Sequence, residues 1–171
     1  MNSGNVRFAR NNGTWFLRLG GDLRHTLGPA LNTLLDTAFR ASDTSGFLLD
    51  LSGAEAIDST CLGVLARIAD WSKQKGASRP IIVTDNEDII ETLYALCFDR
   101  LFELQSDTAT TADDWSDLSE SDASADQVGR LILEAHRRLC AIDADNHAVF
   151  RDLVETLEQE LDPQDERVNP D

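Results

Sequence analysis

"LLDLSGAEAIDSTCLGVLARIADW" occupies Leu48 to Trp71, and its two halves follow different periodicities. The first residues are almost all apolar, as in a strand buried on both faces. From Ser59 onward, Leu62, Leu65, Ala66, Ala69 and Trp71 recur at helical spacing. A strand that passes through a short polar loop into a helix is a unit of a parallel sheet with helices packed on it. The junction itself needs explaining, because Asp58, Ser59 and Thr60 set three polar side chains in succession at a helix start. A helix N-terminus leaves about four backbone N–H groups without internal partners, and the oxygens of these residue types accept from them. Capping accounts for one of the three and leaves two.

The flanking sequence extends the same alternation. Val6–Ala9 and Trp15–Leu19 read as two short strands, and the Asn-Gly pair of "RNNG" between them favours a tight hairpin turn. After the loop "GGDLRHT", Thr26 is the expected cap of a helix carrying Leu27, Leu31, Leu34, Leu35 and Phe39 and ending near Ser42. "KQKG" closes the helix begun at Ser59, with cations in its last turn and a glycine just beyond. Pro80–Val83 is a further strand. Asp85 or Asn86 caps a third helix with Ile89, Ile90, Leu93 and Leu96, and Leu101–Leu104 is the last strand.

Of the 171 residues, 42% are apolar, which suits one globular core and an appendage. No apolar run approaches membrane-spanning length and the N-terminus lacks a signal-peptide core, so a cytoplasmic location without membrane insertion is expected. Three cysteines, Cys61, Cys97 and Cys140, are too few and too scattered for a metal site, and the histidines His25, His136 and His147 are widely separated. There is no glycine-rich phosphate loop. Neither cofactor nor metal is expected. The net charge of -16 disfavours nucleic acid, whose affinity comes from Lys and Arg neutralising phosphates.

That charge is unevenly shared. Residues 1–105 carry 13 acidic and 10 basic side chains, whereas 106–171 carry 18 and 5. Residues 106–125 read as an acidic, solvated linker in which Trp115 and Leu118 can dock locally. Residues 126–161 read as a helical hairpin: Val128, Leu131, Ile132, Ala135 and Leu139 line one helix, and Val149, Phe150, Leu153, Val154, Leu157 and Leu161 the other. Such a pair is below the roughly 40 residues at which chains usually fold unaided, so its stripe needs the main domain, a second copy or a partner. A homodimer through the hairpin is one outcome this allows. Residues 162–171 are expected to be a disordered tail.

Residues 5–105 also carry a resemblance. "LLDLSGAEAIDSTCLGVLARI" resembles the central motif of the STAS family, the domain of sulfate transporters and anti-sigma factor antagonists, in which a strand ending D-L-S leads to I-D-S-[ST]-G-L-G at the second helix. "FLRLGGDLRHTLGPALNTLL" resembles the family's strand, G-[ED]-L loop and first helix, and "PIIVTDNEDIIETLYALCFDRLFEL" its last two strands and third helix. The resemblance implies an α/β fold, a mixed, mostly parallel sheet of about five strands with helices packed on it, followed here by the helical hairpin.

It also implies function: a protein-binding regulator of transcription with no catalytic residues of its own. In anti-anti-sigma members a partner kinase, which is also an anti-sigma factor, phosphorylates the serine after the motif aspartate, and a phosphatase restores it. Ser59 matches that phosphoacceptor, with Thr60 as a second hydroxyl; Asp58, Asp22 and Cys61 fall on the implied partner-binding surface. Ser59 is therefore expected to be exposed. Cys61 replaces the family's usual glycine, and Arg24 stands where many phosphorylated relatives have an acidic or neutral residue. A thiol at a helix N-terminus can also have a lowered pKa. The alternative implied role is a constitutive scaffold or complex subunit of a lipid-transport or stressosome-like assembly.

Overall fold

The structure, a computed structural model, describes residues 2–107 and 112–162. Strands β1 (Asn5–Asn11) and β2 (Thr14–Leu23) form the opening hairpin, antiparallel and in register from Asn5 opposite Gly20 to Asn11 opposite Thr14. Asn12 and Gly13 turn it with φ of 50° and 81°, the left-handed geometry that Asn-Gly adopts at low cost. The chain continues through α1 (Gly28–Arg40), β3 (Gly46–Asp50), β4 (Ala54–Ile57), α2 (Ser59–Lys75), β5 (Ile81–Val83), α3 (Glu87–Ala95) and β6 (Glu103–Gln105). Then follow β7 (Ser116–Asp117), α4 (Ala125–Ile142) and α5 (Ala144–Leu161).

The sheet order is β6-β5-β3-β2-β1-β7, with β4 pairing the C-terminal end of β2. The pairs β2·β3, β3·β5, β5·β6 and β2·β4 are parallel, and only those made by β1 are antiparallel. This is the expected mixed, mostly parallel α/β sheet, with two strands more than expected. β4 is short and lies beside β2, within the connection that leads from β3 to α2. β7 belongs to the stretch read as linker: Ser116 and Asp117 pair with Phe8 and Arg7 of β1, and the Leu118 N–H donates to the Val6 carbonyl. Trp115 lies 4.3 Å beneath the Arg18 guanidinium. The acidic segment is thus pinned across the edge strand it would otherwise leave open.

Strict alternation of buried and half-buried residues along β2 shows that the sheet has one deeply covered face. Trp15, Leu17, Leu19, Phe47 and Leu49 point into a core completed by Leu31 and Leu35 of α1 and Leu62, Leu65 and Ile68 of α2. β3 follows suit. Phe47 and Leu49 are buried while Leu48 is half-buried, so the strand expected to be buried on both faces has one fully dry face. Phe39, Phe47 and Trp71 close the far end of this core with one stacked and two edge-on ring contacts.

Several local expectations are met and one is overturned. Gly76 ends α2 at φ 63°, after Lys73 and Lys75 in the last turn, and the Asn86 side-chain Oδ1 caps α3 by accepting from the Asp88 and Ile89 N–H groups. Thr26 does not cap α1. His25–Leu27 form a 3₁₀ turn, and α1 starts at Gly28–Pro29 with no side-chain cap, proline supplying a residue that needs no donor partner.

Helices α4 and α5 follow the sheet domain, and α4 lies across α2 and α1. Ala135 and Leu139 join the main core, with Leu131, Ile142 and Phe150 packed against it at partial burial. The α4 part of the apolar stripe is therefore covered by the chain's own domain, whereas Val149 and Leu153 of α5 are exposed. The expected tail lies outside the described residues, apart from Asp162. Among the described residues no helix is long and apolar enough to cross a membrane.

Candidate functional site at the start of helix α2

The β4–α2 junction is fixed by Asp58. One of its carboxylate oxygens accepts from the Cys61 N–H at 2.9 Å, the N-cap bond that the sequence suggests. The other accepts from the His25 N–H at 2.6 Å, and the Asp58 N–H donates to the Leu23 carbonyl. Asp58 thus ties the β2–α1 loop to the start of α2 while capping the helix. Both of its carboxylate oxygens are engaged within the chain.

The three residues that follow are sorted by the helix. Thr60 is 5% exposed and Cys61 1%; both face the core, and Ser59 is half-buried. Cys61 is not on the surface where its position in the motif placed it. Its thiol donates to the Arg24 carbonyl at 3.1 Å. Desolvation, followed by the neighbouring Asp58 carboxylate, pushes its pKa well above the ordinary thiol value. These effects outweigh the helix N-terminus, so the lowered pKa considered for this thiol is reversed in sign.

Asp22 and Arg24 complete the site. Asp22 pairs with Ala56 across β2·β4, which brings it beside the junction as expected. Its Oδ2 accepts from Arg24 Nε at 2.8 Å, while its Oδ1 is buried with no partner among the described residues. The Asp22 hydrogen bond and charge raise the Arg24 pKa further. The two departures noted in the sequence, Cys61 and Arg24, are therefore linked: one bonds to the backbone of the other, whose guanidinium answers Asp22.

His136 is the residue that sequence reasoning missed. It projects from α4 with its ring 2% exposed, and Nε2 lies 2.8 Å from Ser59 Oγ. Its Nδ1 is 2.7 Å from the Ile132 carbonyl. A carbonyl only accepts, so the network assigns the proton to Nδ1 and the lone pair to Nε2. Ser59 Oγ–H then donates to His136. Phe150 of α5 stands edge-on to the imidazole, 5.3 Å between centroids. A histidine four residues after Ile132 on an otherwise apolar stripe was the available signal, since a buried imidazole requires partners. Ser59 is accordingly not the freely exposed hydroxyl that was expected.

Comparison with known proteins agrees with the fold. The sequence profile of the STAS domain matches residues 5–112, well over half of the chain. The chain belongs to the STAS family. No match was found among curated protein sequences. Among solved structures, the anti-sigma factor antagonist SpoIIAA in its unphosphorylated form aligns with a TM-score of 0.51 at 14% identity, over 62% of this chain and 90% of that one. A putative anti-sigma factor antagonist from Thermotoga maritima gives 0.50 at 21% identity, over 60% and 86%. An anti-sigma factor antagonist from Mycobacterium paratuberculosis gives 0.50 at 18%, over 61% and 87%. At such identities the likeness is one of fold. The STAS match ends before α4, so the helix that engages Ser59 lies outside the family's domain. Among the described residues no group of three or more His, Cys, Asp or Glu side chains is placed to hold a metal.

Proposed function

We propose that this STAS chain is a cytoplasmic regulator of the anti-sigma factor antagonist type, which binds a partner that is both anti-sigma factor and serine kinase and is switched by phosphorylation of Ser59. The observation that carries the reading is the sorting at the start of α2. Of the motif's two hydroxyls, Thr60 is buried and Ser59 retains exposure, at the position that matches the family's phosphoacceptor. One structural neighbour being described in an unphosphorylated form fits the same reading.

The chemistry suits a switch that acts on binding rather than on folding. A phosphate adds about 1.5 to 2 negative charges. At a helix N-terminus, free N–H groups and the macrodipole favour that charge by roughly 0.3–1 kcal/mol, so the domain stays folded. A partner seated over the same point would have to desolvate the dianion beside Asp58 and Asp22, and a loss of about 2.7 kcal/mol is already a hundredfold in affinity. The kinase uses the ATP, a phosphatase resets the serine, and this chain supplies the acceptor and the docking surface.

The test is incubation with a candidate anti-sigma kinase and Mg-ATP, followed by mass spectrometry. One phosphate on Ser59, lost in Ser59→Ala, is expected; full modification of Ser59→Ala would overturn the reading. A second reading, a constitutive scaffold or complex subunit, is favoured by the Ser59–His136 bond, which occupies the hydroxyl within the chain. It predicts co-purification with a partner that is the same for Ser59→Ala and Ser59→Glu.

A further inference from the structure

We propose that the face of α2 at Ser59 is a helix-docking surface that the chain fills with its own α4, so that the hairpin, an external partner and a phosphate on Ser59 exclude one another. The inference rests on Ser59 being the switch, because whatever reads that residue has to reach its oxygen, and His136 is already there.

The fit of α4 to this face is backbone-deep. A Cβ built on Gly63 would overlap the Ala135 carbonyl oxygen, with the carbonyl carbon at 2.6 Å and Cα at 2.7 Å. One built on Gly28, at the start of α1, would meet Leu131 Cδ2 at 2.8 Å. Glycine at Gly63 lets α2 and α4 approach until main chain touches main chain, and at Gly28 it leaves room for the Leu131 side chain. Arg138 reaches Asp70 further along α2 at 2.9 Å. At the hairpin's turn, Asn146 donates to the Leu96 carbonyl and Arg100 pairs with Asp143. At Ser59 itself, Oγ already stands 2.8 Å from His136 Nε2.

The outer polar contacts of this interface are weak. Arg138–Asp70 and Arg100–Asp143 are exposed ion pairs, which contribute little. α5 rests mainly on α4, and Asn146 is its one fully buried residue, so the hairpin can leave as a unit. A phosphoryl group on Oγ replaces the hydroxyl proton with phosphorus and three oxygens, which do not fit where His136 Nε2 stands 2.8 Å from Oγ. The phosphate and the docked α4 cannot share that space.

Gly63→Ala is the discriminating variant. It adds one methyl where α4 sits and, alanine being the better helix former, favours α2 itself. Full-length Ser59→Cys and Ser59→Cys/Gly63→Ala proteins are alkylated with iodoacetamide, and the introduced thiol is followed by peptide fragmentation. Hydrogen exchange reports α4–α5 and the sheet in parallel. Displacement of the hairpin should raise the alkylation rate at least about tenfold and expose α4–α5 amides while sheet amides stay protected. Equal rates with α4–α5 still protected would overturn the inference. Should Gly63→Ala loosen the sheet as well, Leu139→Asp, which changes only the α4 side of the contact, must give the same tenfold rise or the inference fails. No kinase enters this experiment, so it is separable from the proposed function. Competition without any phosphorylation of Ser59 sinks that function alone, and kinase modification at equal rates in wild type and Gly63→Ala sinks the competition alone.

Discussion

Ser59 and His136 are separated by 77 positions in sequence and by 2.8 Å in space, hydroxyl oxygen to Nε2. The bond joins the first residue of a STAS helix to a helix that the family's domain does not contain. It also makes the C-terminal hairpin a component of the site rather than a neighbour of it.

His136→Phe keeps a ring against Phe150 and removes both imidazole hydrogen bonds. The Ile132 carbonyl keeps its backbone partner within α4, so the Ser59 hydroxyl is the group that loses its partner, and a polar group left without one costs about 1–3 kcal/mol where it is buried. Urea unfolding followed by circular dichroism should show a free energy of unfolding lowered by that amount, with Ser59→Ala/His136→Phe recovering part of it because the orphaned hydroxyl is gone.

Asp58→Ala removes an N-cap and the latch on the His25 N–H together. Caps alone are worth about 0.5–2 kcal/mol, and hydrogen bonds to charged groups about 1.5–3 kcal/mol. The variant should lose about 2–3 kcal/mol on chemical denaturation, and Asp58→Asn, which retains one acceptor oxygen, should lose less.

The turn of the hairpin should be sensitive to acid. The Asp145 N–H, and then the Arg100 guanidinium, hold the Asp143 carboxyl below its ordinary value of 3.8. A depressed folded pKa means that the stabilisation is complete above the unfolded value and is lost as pH falls through the folded one. Hydrogen exchange at the start of α5, compared between about pH 6 and pH 3, should show protection falling at the acid end, and Asp143→Asn should remove most of that pH dependence.

Burial of Cys61 gives a prediction of opposite sign. Its raised pKa keeps the thiol protonated in the fold, so its contribution is complete below the unfolded value of 9.0 and is lost as pH rises above it. In timed thiol labelling the half-buried Cys97 and Cys140 should react first, and Cys61 only on unfolding.

The alternation of strands and helices was legible because each element obeys one local rule. The Asn12–Gly13 turn, the Asp58 and Asn86 caps and the Gly76 stop are all set by neighbours within a few residues. What was not legible depended on pairing across the chain. Ala54–Ile57 is too short to show periodicity and becomes a strand only beside β2. Ser116–Asp117 is acidic and polar, and is a strand only because β1 presents an open edge. Thr26 carries the right chemistry for a cap, but Gly28–Pro29 starts the helix two residues later. At the site, Asp22, Asp58 and Ser59 could be placed from the motif, whereas the inward turn of Cys61 and the arrival of His136 follow from packing. The need of the hairpin stripe for a cover was readable; that the cover would include Ser59 was not.

The central claim is that the affinity of a partner depends on one hydroxyl at the start of α2. Its most direct measurement is isothermal titration of the partner kinase against the full-length chain, unmodified and quantitatively phosphorylated at Ser59. The account predicts binding weaker by about a hundredfold or more after phosphorylation. Equal affinity of the two forms would contradict it.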